Sequence, residues 1–179
     1  MPAGADVRWG WHRLADDQAR RLVVTAGVIP GDLVLDVGAG DGAITAPLVS
    51  AGAKVVAVEL HPRRVALLRA RFTDEPVTVV QADAADLRLP RRPFKVVANP
   101  PFALTTALLR RLLSPGSRLL SAHLVVPVPV ARRWAAGRAP GAGRWRQEFD
   151  LRVGPHLPPR AFQPPIKAPV AVLTVRRRP

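Results

Sequence analysis

Five short runs of aliphatic and β-branched residues punctuate the chain, at 32–37, 54–59, 77–80, 94–98 and 119–126. They are near-continuous apolar stretches, as strands buried on both faces would be. Between them lie segments carrying helix signals. Asp16-Asp17 opens and Gly27 closes a helix over 16–26, and Pro62 stands at the first position of a helix running to 72. Further helices are expected up to residue 50 and over 105–113. Strand, helix, strand at this spacing argues for an α/β fold with a doubly wound parallel sheet. Past residue 126 the pattern loosens. Pro127 and Pro129 interrupt it, 131–136 reads as a short helix and 137–143 as a loop. Runs at 148–153 and 170–175 read as a closing antiparallel pair. The proline-rich 155–169 connects them across the site.

The turns after these strands carry the chemistry. Gly38-Ala39-Gly40-Asp41-Gly42 follows the first strand. Its glycines let backbone approach a ligand closely, and the helix after it offers free N–H groups. The spacing is tighter than the G-x-G-x-x-G of dinucleotide folds. Glu59, ending the second strand, is placed to accept from two ribose hydroxyls. Asp83, after the third, is placed to accept from an adenine amino group. Asn99-Pro100-Pro101-Phe102 follows the fourth. There the Asn99 side-chain oxygen and the Pro100 carbonyl can each accept from an exocyclic NH2. The prolines hold φ and keep the preceding residues extended, and Phe102 can stack on the ring bearing the amine. Together, and in this order, the four turns describe S-adenosylmethionine held across the strand ends, with its methyl directed at Asn99.

Charge points to the partner. Residues 1–90 hold ten basic and eleven acidic residues, whereas 91–179 hold seventeen basic and only Glu148 and Asp150 as acids. Arginine outnumbers lysine 24 to 3, which coding bias alone would produce, but bias does not remove acids from one half. The basic half is suited to a polyanion, so nucleic acid is the expected partner. With 179 residues the chain is expected to form one domain with a real core. No apolar run reaches the roughly eighteen residues of a membrane span. The opening residues lack the charged and apolar regions of a signal peptide. The absence of cysteine excludes disulfides and Cys-ligated zinc and fits a cytoplasmic protein. No metal site is expected.

Five segments carry a resemblance over about residues 10–178. They are Leu35-Asp36-Val37-Gly38-Ala39-Gly40-Asp41-Gly42-Ala43-Ile44-Thr45, Val58-Glu59-Leu60, Ala82-Asp83-Ala84, Asn99-Pro100-Pro101-Phe102 and Phe162-Gln163-Pro164-Pro165-Ile166-Lys167. The chain resembles the rRNA adenine N6-methyltransferases, of the Erm type and the related KsgA-type dimethyltransferases. The resemblance implies a Rossmann-like class I methyltransferase: a seven-stranded, mostly parallel sheet with an antiparallel last strand and helices on both faces. It implies cofactor contacts from His12, Leu14, Gly38, Ala39, Gly40, Glu59, Leu60, Asp83, Ala84 and Asn99, and catalytic roles for Asn99, Pro100 and Phe102. The family's Phe in the last segment lies near the target base, so Phe162 is expected to face Phe102 across the adenine. It further implies a target in the macrolide-binding region of 23S rRNA, free or in an assembling large subunit, and macrolide-type resistance. A monomer is expected.

The chain departs from the family at three places. Trp11-His12-Arg13-Leu14 stands where the family has a Gln-Asn-Phe-Leu-like segment; Leu14 matches, and His12 replaces the Asn as a hydrogen-bonding partner. The exit of the fifth strand reads Pro127-Val128-Pro129-Val130 instead of Gln and charged residues. The sequence stops at Pro179, just past its last strand, and so resembles the short Erm-type members without a C-terminal helical domain, which share the Trp9-Gly10-Trp11 opening. The expected organisation is a basic, Trp-bearing segment over 1–15 and a single domain over 16–179. RNA is then expected to meet Trp9, Trp11, Arg8 and Arg13, together with Arg132, Arg133, Arg138, Arg144, Arg146 and Phe162. Two alternatives stay open. One is an enzyme on another amino nitrogen, of DNA adenine or glutamine, which shares the Asn-Pro-Pro-aromatic turn. The other is a non-catalytic RNA-binding or ribosome-assembly factor on the same scaffold.

Overall fold

In the computed structural model residues 12–179 are described, so the expectations placed on Arg8, Trp9 and Trp11 lie outside the described residues. The elements run β1 (Arg13–Leu14), α1 (Asp16–Thr25), β2 (Leu33–Val37), α2 (Thr45–Ser50), β3 (Lys54–Glu59), α3 (Pro62–Arg71), β4 (Val77–Gln81), β5 (Phe94–Ala98), α4 (Thr105–Leu112), β6 (Leu119–Pro127), α5 (Val128–Ala135), α6 (Ala142–Glu148), β7 (Phe149–Leu157), β8 (Phe162–Gln163) and β9 (Val170–Arg177). Seven strands form one sheet in the order β4-β3-β2-β5-β6-β9-β7. The first five are mutually parallel, and β9 runs antiparallel to both β6 and β7. This is the sheet expected from the sequence.

Alternate residues along each strand feed two cores. Leu35, Val37, Val96 and Leu124 pack under α4, α5 and α6 on one face. Val34, Val55, Val97 and Val125 pack under α1 and α2 on the other, where Ala57 meets Leu68 and Phe72 at α3. The double burial explains why these strands read as unbroken apolar runs. Lys95, the one charge inside β5, lies at its start, where Nζ bonds Asp32 at 2.7 Å and the Gly27 carbonyl at 2.9 Å.

Several details differ from expectation. Helix α5 starts at Val128, three residues before the expected 131, because Pro129 falls in its first turn, where its missing N–H costs nothing. The expected loop over 137–143 runs into an unforeseen helix, α6. Trp145 on α6 stacks on Trp134 of α5 with ring centroids 5.5 Å apart, both buried. Strand β7 extends through Pro155 to Leu157, because a register shift between Val153 and His156 accommodates the proline on this edge strand. The proline-rich connection contains β8, which pairs with β1 as a separate antiparallel ribbon.

The strand order reverses between β2 and β5, and in sheets of this kind the crevice beyond the carboxyl ends at that point is where ligands bind. The Gly38 and Asn99 turns leave β2 and β5 there, side by side.

Candidate active site

Gly38, at φ +77°, is the pivot of the crevice. A Cβ on it would lie 3.0 Å from Pro101 Cδ and 3.4 Å from the Pro100 Cα. The missing side chain is what lets the glycine turn and the Asn99 turn touch. The glycine turn is tied to β3: Gly38 and Ala39 N–H donate to the Val58 carbonyl at 2.8 and 3.0 Å. Gly40 N–H donates to Glu59 Oε2 at 2.9 Å. Glu59 Oε1 accepts from Leu60 and His61 N–H, both at 2.8 Å. Three backbone amides thus occupy a buried carboxylate that has about four acceptor positions. One acceptor position remains for a ligand. Asp83 is exposed; its Oδ1 accepts from Ala85 N–H at 2.8 Å and Oδ2 is left to a ligand. Ala84 beside it is buried.

Asn99 is oriented from the N-terminal side. Its Nδ2 donates to the His12 carbonyl at 2.6 Å. A carbonyl only accepts, so the amide is fixed one way round and Oδ1 is left as an acceptor. The His12 ring lies 5.9 Å from that of Phe102, tilted by 34°. His12 itself is held by the ribbon, in which Arg13 pairs with Gln163 and Leu14 with Phe162, and by the Ala15 N–H to Ala161 carbonyl bond at 2.8 Å.

Two expectations are corrected here. Phe162 is 1% exposed and packs in the core with Leu14 and Leu22. Its pairing with Leu14 turns it inward, so it does not face an adenine at Phe102. Arg13 is engaged within the protein: Nε donates to Asp41 Oδ2 and one terminal nitrogen to Asp16 Oδ1, each at 2.6 Å. It clamps the glycine turn instead of meeting RNA. His12 meets Asn99 through its carbonyl, and its buried Nδ1 has no partner among the described residues. Arg132 and Arg133 on α5 and Arg144 on α6 are exposed, as an RNA surface requires.

Asp36 was missed as a site residue. It is 1% exposed, its Oδ2 accepts from Thr45 Oγ1 at 2.6 Å, and its Oδ1 has no partner. With Arg13, Asp41 and Asn99 it lines a cavity of about 10 Å³, room for one water. Burial pushes its carboxyl up to about 7; the Thr45 hydrogen bond opposes this, and the nearby Glu59 and Asp41 charges add to it. The signal in the sequence is an acid inside an otherwise apolar strand.

A family model described as ribosomal RNA adenine dimethylase matches residues 14–179. The chain belongs to that family. Among its relatives, the ribosomal RNA small subunit methyltransferase A of Synechococcus sp. (strain RCC307) is 39% identical, over 94% of this chain and 68% of its own length. The mycinamicin-resistance protein MyrB of Micromonospora griseorubida is also 39% identical, over 81% of this chain and 47% of its own length. The crystal structure of the 23S rRNA methyltransferase ErmE superposes with a TM-score of 0.80 at 28% identity, covering 92% of this chain and 69% of that one.

This dimethylase-family chain is an S-adenosylmethionine-dependent methyltransferase. Its crevice fits the cofactor on its own terms. Glu59 keeps one acceptor position and Asp83 an entire oxygen, while Asp36 and Asp41 each keep an unpartnered buried oxygen beside the glycine turn.

Proposed function

We propose that the chain methylates N6 of an adenine in 23S rRNA, in the macrolide-binding region, and so confers macrolide-type resistance. One observation carries the reading: the glycine turn and the Asn99 turn touch through Gly38, so a cofactor on the first presents its methyl to an amine on the second. Bound S-adenosylmethionine supplies an electrophilic methyl on a sulfonium sulfur. Asn99 Oδ1 and the Pro100 carbonyl accept from the two N6 hydrogens and draw the nitrogen out of conjugation. The lone pair of N6 would then be held toward the methyl that the cofactor supplies, and the proton lost from N6 would pass to water. The protein's work is positioning and electrostatics. The adenine has to leave its stack, which is least costly in an unpaired loop.

Support for the large subunit comes from the likeness to the 23S rRNA methyltransferase ErmE, and support for resistance from the likeness to a mycinamicin-resistance protein. A small-subunit target is the second reading, favoured by the 39% identity to a relative named for that subunit. On either reading residues 16–179 work as one catalytic domain, monomeric and cytoplasmic, with Arg132, Arg133 and Arg144 against RNA phosphates. Purified Asn99→Ala tests the site. It is expected to bind S-adenosylmethionine within about twofold of the parent by calorimetry while its transfer to rRNA falls by at least the ~100-fold that removal of a transition-state donor or acceptor produces. Substantial methylation by that variant would overturn the role of Asn99.

A further inference from the structure

The β1–β8 ribbon borders a second, larger cavity. It opens between α1 and the end of β7, has a volume of about 430 Å³, and shares only Leu14 with the water-sized cavity at Asp36. Its floor is apolar and buried, made by Leu14, Leu22 and Val172. Arg21 and Arg160 stand exposed on its rim, and no carboxylate lines it. Asp17, which bonds Gln18, is the acid whose charge reaches Arg21. Among the described residues neither guanidinium is in an ion pair. The volume lies within the range of small-ligand sites.

We propose that this cavity is a subsite for an unpaired nucleotide of the RNA substrate, separate from the adenine position at Asn99. The proposal rests on the RNA-methylating reading above. Pro155 and Pro158 supply flat, rigid faces for a base, and the leucines of the floor exclude water beneath it. Arg21 and Arg160 supply forked donors that match a phosphate and can also stack on the base. Stacking of this kind tolerates any base, as a sequence-independent grip on single-stranded RNA requires. The subsite bears on the chemistry through its wall. Leu14 adjoins Arg13 and His12, and the His12 carbonyl orients Asn99. A nucleotide seated against Leu14 braces the strand that aims the acceptor.

Arg160→Glu reverses the rim charge, and Thr25→Trp narrows the mouth without changing charge. Both variants leave every residue of the cofactor crevice intact. In methylation of an rRNA transcript, each is expected to raise KM for RNA about tenfold, the scale of one stacked base or one phosphate–guanidinium pair. Their kcat, KM for S-adenosylmethionine and melting temperature should match the parent, and Arg160→Lys should restore most of the RNA affinity. RNA carrying 4-thiouridine should crosslink to peptides spanning 14–25 or 155–160, and Thr25→Trp should abolish that adduct. An unchanged RNA KM in both variants, or crosslinks confined to α5 and α6, overturns the subsite. So does displacement of a fluorescent octaglutamate, but not of RNA, by the Arg160→Glu change, which would assign the cavity to an acidic peptide. Crosslinking at 155–160 by a protein that methylates no rRNA would retain the subsite and reject the catalytic reading instead.

Discussion

Asp36 is ionised above neutral pH with a single hydroxyl to solvate it, and Asp36→Asn removes that burden. The folded carboxyl titrates at about 7, against an ordinary aspartate value of about 3.9. The folded state therefore holds this proton more tightly than the unfolded chain does. Below about pH 4 both states carry it and the group costs nothing; the penalty grows as pH rises through the window from about 4 to 7 and is complete above it. Three tenfold steps at about 1.4 kcal/mol each make the full penalty about 4 kcal/mol. Asparagine keeps an acceptor for Thr45 and carries no charge to desolvate. Urea unfolding of both proteins at pH 5 and pH 8 isolates the effect, because every other titrating group cancels in the difference. The variant should gain about 2–3 kcal/mol on the parent between those two values. A difference that stays flat from pH 5 to pH 8 would refute the reasoning, since Asp36 would then be equally charged throughout.

The remaining perturbations address packing and partner. Gly38→Ala places a Cβ 3.0 Å from Pro101 Cδ at a φ of +77°, and the left-handed conformation alone costs about 1–2 kcal/mol. Methyl transfer should fall further than cofactor affinity, because the collision is with the Asn99 turn; equal losses in both would contradict the contact. Trp134→Ala should lower stability by about 3–5 kcal/mol in a urea titration, since Trp134 is 1% exposed and supports α6 through Trp145. A near-neutral effect there would show that α6 does not depend on the stack. Arg132→Ala with Arg133→Ala should flatten the dependence of log affinity for rRNA on log salt by about 0.7–0.9 for each phosphate that the two arginines neutralise. An unchanged slope removes both residues from the interface.

What could be read in the sequence follows from where each signal resides. β3 and β5 are found to the residue, at Lys54–Glu59 and Phe94–Ala98, because burial on both faces leaves their apolar runs undiluted. The order of turns after the strands is equally local, and the parallel sheet brings them to one edge. What was not legible depends on distant partners. Phe162 turns inward because it pairs with Leu14, which no local pattern discloses. Arg13 counts as a free cation until Asp41, 28 residues away, is found against it. Helix α6 follows a Gly- and Arg-rich stretch with no apolar period, and it is held by Trp145 meeting Trp134. Glu59 was legible as a site acid, but not as a carboxylate whose acceptor positions are mostly taken by Gly40, Leu60 and His61. Local chemistry can name such a residue; only the closed turn shows how many bonds it has left.

On the proposed function, Asn99 presents an adenine of ribosomal RNA to the methyl donor. Mapping N6-methyladenine by mass spectrometry in rRNA from cells expressing the chain, beside cells expressing Asn99→Ala, tests it directly. Cells expressing the chain are expected to carry a new methylated adenine in the macrolide-binding region of 23S rRNA that is absent with the variant. A modification that persists with Asn99→Ala, or its absence from ribosomal RNA altogether, would contradict it.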